Sequence, residues 1–240
     1  VGAVLREIGD LLHGDCLHIG GETVATRLAQ LPGHIDRDVV RGRSQPIDPM
    51  GGLVALFGSL APGGAILKRS AADAKLFERT GRAVVFESLA DLSARIDDPD
   101  LDVTPEDFLV MQNAGPKSGS GMPEAGYLPI PGKLARQGVK DMVRISDARM
   151  SGTAYGTVVL HVTPETSVGG PLALVRNGDR IKLSIKERRI DLLVDEAELA
   201  RRRAGFKPPE PPKRGYRKLY IDHVLQADKG CDFDFLRYRA

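Results

Sequence analysis

Apolar residues recur at helical spacing along the first 45 residues of the chain. Such a stripe predicts a helix over residues 1–13 that ends at Gly14. Its apolar members are Val1, Val4, Leu5, Ile8, Leu11 and Leu12. A second helix is predicted at residues 22–31, closed by Pro32 and Gly33. Residues 44–52 contain two prolines and two glycines, which mark a domain boundary.

Beyond this boundary the pattern changes to short apolar runs that are typical of strands. These runs cover residues 53–57, 65–68, 83–86, 108–111, 142–145, 157–162 and 189–194. The Asn177-Gly178 pair between residues 172–176 and 180–186 predicts a β-hairpin. Many short strands with few interposed helices favour a mixed α/β fold with a β-barrel-like domain and flanking helices.

Three capping residues predict where helices begin in this second region. Ser70 with Asp73 predicts a helix through Arg79 that stops at Gly81. Ser88 predicts a helix to about residue 96, and Asp195 one through residue 203. The prolines of KPPEPPK, at residues 207–213, predict an extended linker. We therefore predict helical residues 1–48, a barrel-like domain over 49–206, and a linker with a docking tail over 207–240.

The composition is typical of a globular protein and does not indicate a particular reaction. Of the 240 residues 42% are hydrophobic and 28% are charged, with a net charge of +2, which is ordinary for a globular protein. That charge gives no reason to expect a nucleic-acid or membrane-surface partner, and no apolar run approaches the roughly 20 residues of a membrane helix. No signal-peptide layout is present, so a cytoplasmic protein is expected. Because the chain opens inside a helix, we expect a fragment of a longer polypeptide, although removal of an initiator Met or a tag would also explain this.

The metal-binding side chains are dispersed along the sequence. Cys16 and Cys231 are far apart, and the five histidines do not pair at a spacing of four residues. This pattern excludes a disulfide framework and disfavours a zinc site built from this chain.

Residues 144–161, RISDARMSGTAYGTVVLH, place small polar side chains between two apolar runs. A loop held between strands often carries ligand-binding groups, because the scaffold fixes its ends. Gly152, directly after Ser151, would let the backbone take a conformation closed to other residues and so expose the serine hydroxyl. An ordinary Ser-Gly-Thr turn explains the same residues, so both interpretations stay open at this point.

Residues 112–131, QNAGPKSGSGMPEAGYLPIP, are predicted to form a long loop. Four glycines and four prolines exclude regular structure, and loops of this length are uncommon unless they have a function. Glu124 is the only carboxylate of the loop and Lys117 its only cation. The loop is either a solvated surface segment or a ligand-binding loop in which Glu124 is a metal-binding or acid–base group.

Three segments in order carry a resemblance to a known family: NAGPKSGSGMPEAG, ISDARMSGTAYGTVVLHVTPE and GGPLALVRNGD. Together they resemble the C-terminal part of the dihydroxy-acid and sugar-acid dehydratase family. The forms SDARMSGTAYGT and VVLHV resemble the pentonate and hexonate dehydratases more than the enzymes of branched-chain amino-acid synthesis. GRAVVFES, DDPDLDV and GCDFDFL extend the resemblance along the chain.

The resemblance implies a hydro-lyase that removes water from a 2,3-dihydroxy acid, giving an enol that becomes a 2-keto acid. It implies that Ser151, as an alkoxide, takes the C2 proton, that Glu124 binds Mg²⁺, and that Thr153 contacts substrate hydroxyls. It further implies an iron–sulfur cluster, of the 2Fe–2S type in the closer relatives, as the Lewis acid on the departing hydroxyl. Physical chemistry agrees that a serine base needs adjacent positive charge. Asp147 and Arg149 are expected to hold the loop shape by local hydrogen bonds.

The chain also departs from the pattern of the complete family. The cluster ligands there are cysteines of the N-terminal region, which also holds most magnesium ligands, and neither Cys16 nor Cys231 falls in those motifs. Residues 1–48 are therefore expected to be the helical end of a larger α/β N-terminal domain, without which the chain is inactive. Ser120 stands where relatives often have Pro. The implied partners are a sugar acid, the N-terminal domain, and further copies in a dimer or tetramer.

Two alternatives to a sugar-acid dehydratase remain at this stage. One is a dihydroxy-acid dehydratase of branched-chain amino-acid biosynthesis. The other is a non-catalytic barrel that binds a small acid or a partner chain.

Overall fold

The computed structural model describes residues 1–237, which fall into two compact units, Val1–Gly51 and the residues from Gly52 onward. The predicted docking tail extends to residue 240, and its last three residues lie outside the described ones. No helix within residues 1–237 combines the length and the apolar character needed to cross a bilayer.

The first unit contains two short helices, α1 (Gly2–Glu7) and α2 (Val24–Gln30). The second lies where it is predicted, but the first ends at Glu7 and not at residue 13, and residues 9–11 form a separate 3₁₀ turn. Thr23 caps α2 by accepting a hydrogen bond from the backbone N–H of Thr26 at 3.1 Å. None of residues 1–51 is buried, and large apolar side chains of this unit are exposed, among them Val1, Leu11, Ile19 and Val39. The unit therefore has no core of its own.

The second unit is a mixed α/β fold built on one eight-stranded, barrel-like sheet, which confirms the predicted fold class. Its strands are β1 (Val54–Leu56), β2 (Gly64–Leu67), β3 (Glu78–Phe86), β4 (Phe108–Met111), β5 (Arg144–Ser146), β6 (Val158–Thr163), β7 (Arg180–Ser184) and β8 (Arg189–Leu192). The flanking helices are α3 (Leu89–Arg95), α4 (Gly132–Arg136), α5 (Glu196–Ala204) and α6 (Tyr216–His223).

The eight strands form a nearly closed, barrel-like sheet. The order is β1-β2-β6-β5-β4-β3-β7-β8, and a bridge between Phe57 and Arg189 joins its two ends. The pairs β3–β4, β4–β5 and β5–β6 are parallel, whereas the remaining pairs are antiparallel. Both faces of the parallel part are covered, since Val110 packs in one apolar cluster while Leu109 and Met111 pack in another. This two-sided burial explains the continuous apolar run of β4.

Two of the three predicted helix caps are confirmed. Ser88 Oγ accepts from the N–H of Asp91 at 3.1 Å at the start of α3. Asp195 caps α5 by accepting from the N–H of Glu198 at 2.8 Å.

The predicted helix from Ser70 to Arg79 is wrong. Residues 69–71 and 74–76 form separate 3₁₀ turns, and β3 already begins at Glu78. The first five residues of β3 pair with the neighbouring strand β7, so backbone pairing within the sheet outweighs the local capping signal.

The hairpin predicted around Asn177 and Gly178 is also wrong. Residues 171–174 form a 3₁₀ helix, and β7 pairs with β3 and β8 instead. The amide of Gln112 donates to the carbonyls of Leu172 and Val175 at 2.7 and 3.1 Å. Because these carbonyls are engaged by a side chain, the segment does not form a strand with β7.

Candidate active site

Two long loops leave the barrel from the same edge of the sheet. The Glu124 loop (residues 112–131) follows β4, and the Ser151 loop (residues 147–157) follows β5. Because β4 and β5 are parallel neighbours, with Met111 opposite Ser146, their carboxyl ends lie side by side. Ligands of sheets with parallel strands usually bind beyond these carboxyl ends.

The Glu124 loop has no helix or strand along its length, as its glycines and prolines predict. The two loops are joined through Arg149 of the Ser151 loop. Its guanidinium donates from Nη1 to Glu124 Oε1 at 2.6 Å and from Nε to the carbonyl of Met122 at 3.0 Å. Its own carbonyl accepts from the N–H of Gly126 at 2.8 Å. Arg149 therefore holds the loop that carries Glu124 against the loop that carries Ser151.

Ser151 and Thr153 lie at the tip of the Ser151 loop. Ser151 is half-buried and Thr153 is exposed, and their hydroxyl oxygens are 3.0 Å apart. The ammonium group of Lys68 binds the carbonyl of Gly152 and, at 3.3 Å, that of Ala154. A cation of this chain thus fixes the turn that follows Ser151.

The glycine that the Ser151 loop requires is Gly156 and not Gly152. Gly152 has no atom within 4 Å of a Cβ built on it and lies outside the positive-φ region, so the expected special conformation is wrong. Gly156 has φ +113°, and a Cβ there would lie 1.7 Å from Arg144 Nη2. Close approach to this buried arginine therefore excludes any side chain at position 156.

Arg144 lies beneath both loops with 1% of its surface exposed. Its guanidinium donates to the carbonyls of Tyr127 and Leu128 at 2.9 and 3.1 Å, where the Glu124 loop returns. It also binds Asp141 Oδ1 at 2.7 Å and lies 4.8 Å from the centre of the Tyr127 ring. This buried ion pair fixes the base of the site.

Glu124 offers an oxygen ligand at the surface, since about half of its side chain is exposed. A carboxylate is the ligand type that Mg²⁺ prefers, so Glu124 fits a magnesium site as one of several ligands. No cluster of three or more His, Cys, Asp or Glu side chains within residues 1–237 could hold a metal ion alone. Cys16 and Cys231 are both free, and they belong to different units of the chain.

Two buried carboxylates bind backbone N–H groups of neighbouring loops, and the sequence did not predict these contacts. Asp147 follows β5 and accepts from the N–H groups of Ala114 and Thr166 at 3.0 and 2.8 Å. Glu165 follows β6 and accepts from the N–H of Lys117 at 2.9 Å with both oxygens. Burial raises the pKa of both, that of Glu165 to about 7. Their common place after parallel strands is the signal that could have identified them.

The pKa of Glu165 predicts a pH-dependent stability. Because the pKa is about 7 in the folded chain and 4.5 in the reference state, folding favours the protonated acid. Glu165 therefore contributes its full stabilisation below pH 4.5. As the pH rises through 7 this contribution is lost, and the free energy of unfolding falls by about 3 kcal/mol. Urea unfolding of the wild type and of Glu165→Gln between pH 5 and 8 measures it, and the variant should show the flatter profile.

Asp107→Asn is the control for this profile. Burial would raise the pKa of Asp107, but hydrogen bonds from Arg82 and Thr104 outweigh it and hold the pKa below its usual range. The stabilisation from Asp107 is therefore lost only as the pH falls below that range, and its variant should keep the wild-type slope between pH 5 and 8. An equal slope in the wild type and in Glu165→Gln would contradict the assignment.

The sequence of the chain matches a family model and several curated proteins. The family model described as "Dihydroxy-acid/6-phosphogluconate dehydratase C-terminal" matches residues 38–231. The chain is 52% identical to a putative dehydratase of Rhizobium meliloti (strain 1021), over 98% of this chain and 41% of that protein. It is 49% identical to the L-arabonate dehydratase of Azospirillum brasilense, over 98% and 42%. Identity is 40% to the dihydroxy-acid dehydratase of Ignicoccus hospitalis, over 97% and 42%. The chain spans about two fifths of the length of these relatives.

Proposed function

The chain belongs to the dihydroxy-acid/6-phosphogluconate dehydratase family, and from this we propose that it is the C-terminal part of a sugar-acid dehydratase. The proposed reaction converts an aldonate to a 2-keto-3-deoxy acid. The observation that carries the proposal is the junction at Arg149, which joins the loop bearing Glu124 to the loop bearing Ser151. A sugar acid is favoured over a branched-chain dihydroxy acid by the 49% identity to an arabonate dehydratase, against 40% to a dihydroxy-acid dehydratase.

We assign the proton transfer at C2 of the substrate to Ser151. Its Oγ, as alkoxide, would take the C2 proton while the C3–O bond breaks and hydroxide leaves. Transfer of that proton from Ser151 to the hydroxide would then give water and restore the alkoxide. The resulting enol then becomes the 2-keto acid. Thr153, whose hydroxyl is 3.0 Å from that of Ser151, would bind a substrate hydroxyl and orient C2. A serine hydroxyl becomes a base only next to positive charge, so the cation at Glu124 is part of the same proposal.

The cofactors of the proposal are Mg²⁺ and an iron–sulfur cluster. When bound, the two would supply positive charge at the substrate carboxylate and Lewis acidity at the departing hydroxyl. Of this chain's residues, Glu124 would hold the magnesium ion, and the cluster would be bound by a preceding N-terminal region. The exposed apolar side chains of residues 1–51 suit a surface that such a region covers.

An assay for 2-keto acid formation tests the proposal. We expect no turnover by residues 1–240 alone, even with iron, sulfide and Mg²⁺ supplied. We expect turnover by a two-domain polypeptide, in which the cluster-bearing region of the family precedes this chain. That polypeptide should convert L-arabinonate or another aldonate faster than 2,3-dihydroxyisovalerate. Turnover by residues 1–240 alone, or preference for 2,3-dihydroxyisovalerate, would overturn the proposal in its present form.

A further inference from the structure

The C-terminal tail (residues 216–235) packs against the first half of the Glu124 loop. Arg217 donates from Nη2 to the carbonyl of Gly119 at 2.8 Å, and Cys231 Sγ lies 3.4 Å from Met122 Sδ. Val224, between these contacts, is fully buried. The tail therefore contacts the loop at several points immediately before Glu124 in sequence.

A pair of side chains, the half-buried Gln226 and the buried Glu165, forms the centre of this contact. The amide of Gln226 donates from Nε2 to Glu165 Oε1 at 2.6 Å, and its Oε1 accepts from the N–H of Glu165 at 2.9 Å. Glu165 is 1% exposed and binds the N–H of Lys117 in the Glu124 loop with both carboxylate oxygens. A Cβ on Gly115 would lie 2.4 Å from Glu165 Oε2, so the loop passes directly over this carboxylate. Glu165 thus bonds the tail on one side and the loop on the other.

A short path of bonds leads from this pair to Glu124. The N–H of Met122 donates to the carbonyl of Gly115 at 3.0 Å, which closes the turn above Glu165. The carbonyl of Met122 then accepts from Arg149 Nε at 3.0 Å, and Arg149 Nη1 binds Glu124. Displacement of the turn at residues 115–122 would therefore displace Arg149 and Glu124 with it.

We propose that Gln226 and Glu165 are positioning residues, through which the C-terminal tail holds Glu124 and Arg149 in the geometry of the cation site. The inference rests on the proposed function for the role of Glu124, but the positioning itself needs neither metal nor substrate. The amide–carboxylate pair suits this role, because loss of the Gln226 amide leaves the buried Glu165 carboxylate without one of its hydrogen bonds.

Backbone hydrogen exchange in the 240-residue chain tests the proposal. In Gln226→Ala we expect exchange to rise about tenfold at Lys117, Met122 and Gly126, whose N–H groups bond across this path. Glu165→Ala should do the same. Glu165→Gln retains an acceptor oxygen, so it should preserve most of the protection from exchange at these three N–H groups. If any change of packing at position 165 were enough to free the loop, Glu165→Gln would raise exchange as well.

Two further variants keep the test decisive. Lys218→Ala removes an exposed side chain of α6 that pairs with Asp222 at 2.6 Å, and it should leave the loop unchanged. Arg217→Ala removes the exposed bond to Gly119 and should raise exchange near residues 119–122 about two- to threefold, even if Gln226→Ala folds poorly.

Two patterns of hydrogen exchange in Gln226→Ala would contradict the positioning role. Faster exchange confined to residues 224–231, with Lys117 and Gly126 unchanged, would overturn the proposal. A uniform rise that includes β4 and β6 would also overturn it, since that indicates lower global stability. Because exchange is measured without substrate or Mg²⁺, absence of dehydratase activity would refute the proposed function and leave this result standing.

Discussion

Replacing Arg144 by alanine is expected to lower the free energy of unfolding of this chain by about 3–5 kcal/mol, the cost of breaking a buried ion pair. The change leaves the Asp141 carboxylate without its guanidinium partner and opens a cavity beneath both loops. It also removes the donors that bind the carbonyls of Tyr127 and Leu128. Urea unfolding followed by far-ultraviolet circular dichroism measures the loss.

Two matched variants show whether the loss in Arg144→Ala comes from this buried ion pair. Arg180→Ala removes an exposed arginine that donates to the carbonyl of Thr80 at 3.2 Å, and it should cost less than about 1 kcal/mol. Arg144→Lys keeps the charge but not the planar group of donors, so it should fall between these two values. A loss below about 1 kcal/mol in Arg144→Ala would show that Arg144 does not fix the base of the site.

Local signals predicted the parts of the fold that depend on neighbouring residues. The caps at Ser88 and Asp195 are examples, because a cap is decided by three or four consecutive residues. Ser70 gave the same local signal but no helix, since β3 pairs with a strand that lies about 100 residues later. The hairpin at Asn177 failed for a related reason, because Gln112 takes the carbonyls that the strand needed. Partners this distant in sequence leave no local pattern.

The candidate site was predictable in its parts but not in its assembly. The sequence identified Glu124 and Ser151 on two loops, and the resemblance gave them roles that stay predictions. Their adjacency follows from the parallel pairing of β4 with β5, which the sequence did not specify. Arg149 was expected to shape its loop, and the structure adds its bond to Glu124. Glu165 was missed because its partners, Lys117 and Gln226, lie 48 and 61 residues away.

Replacing Ser151 by alanine is expected to lower kcat of the two-domain polypeptide about 10³-fold or more, within the upper range for loss of a general base. The reason is that the proposed reaction assigns removal of the C2 proton to the Ser151 hydroxyl, which alanine lacks. Thr153→Ala should act mainly on KM, because a substrate hydroxyl loses its partner while the base remains. Circular dichroism should show no change of fold in either variant.

Ser120→Ala is the matched control for the loss of a hydroxyl. Ser120 lies exposed on the Glu124 loop, and its hydroxyl is 3.1 Å from that of Ser118. The same chemical change there should leave kcat within about twofold of the wild type. Equal losses in both serine variants would indicate a general effect on the loops.

The most direct test of the proposed mechanism is the initial rate of 2-keto acid formation from an aldonate, compared between the wild-type and Ser151→Ala two-domain polypeptides at saturating Mg²⁺. We expect the rate to fall about 10³-fold or more while fold and cluster content stay unchanged. A Ser151→Ala rate equal to that of the wild type would contradict it and would remove Ser151 from the mechanism.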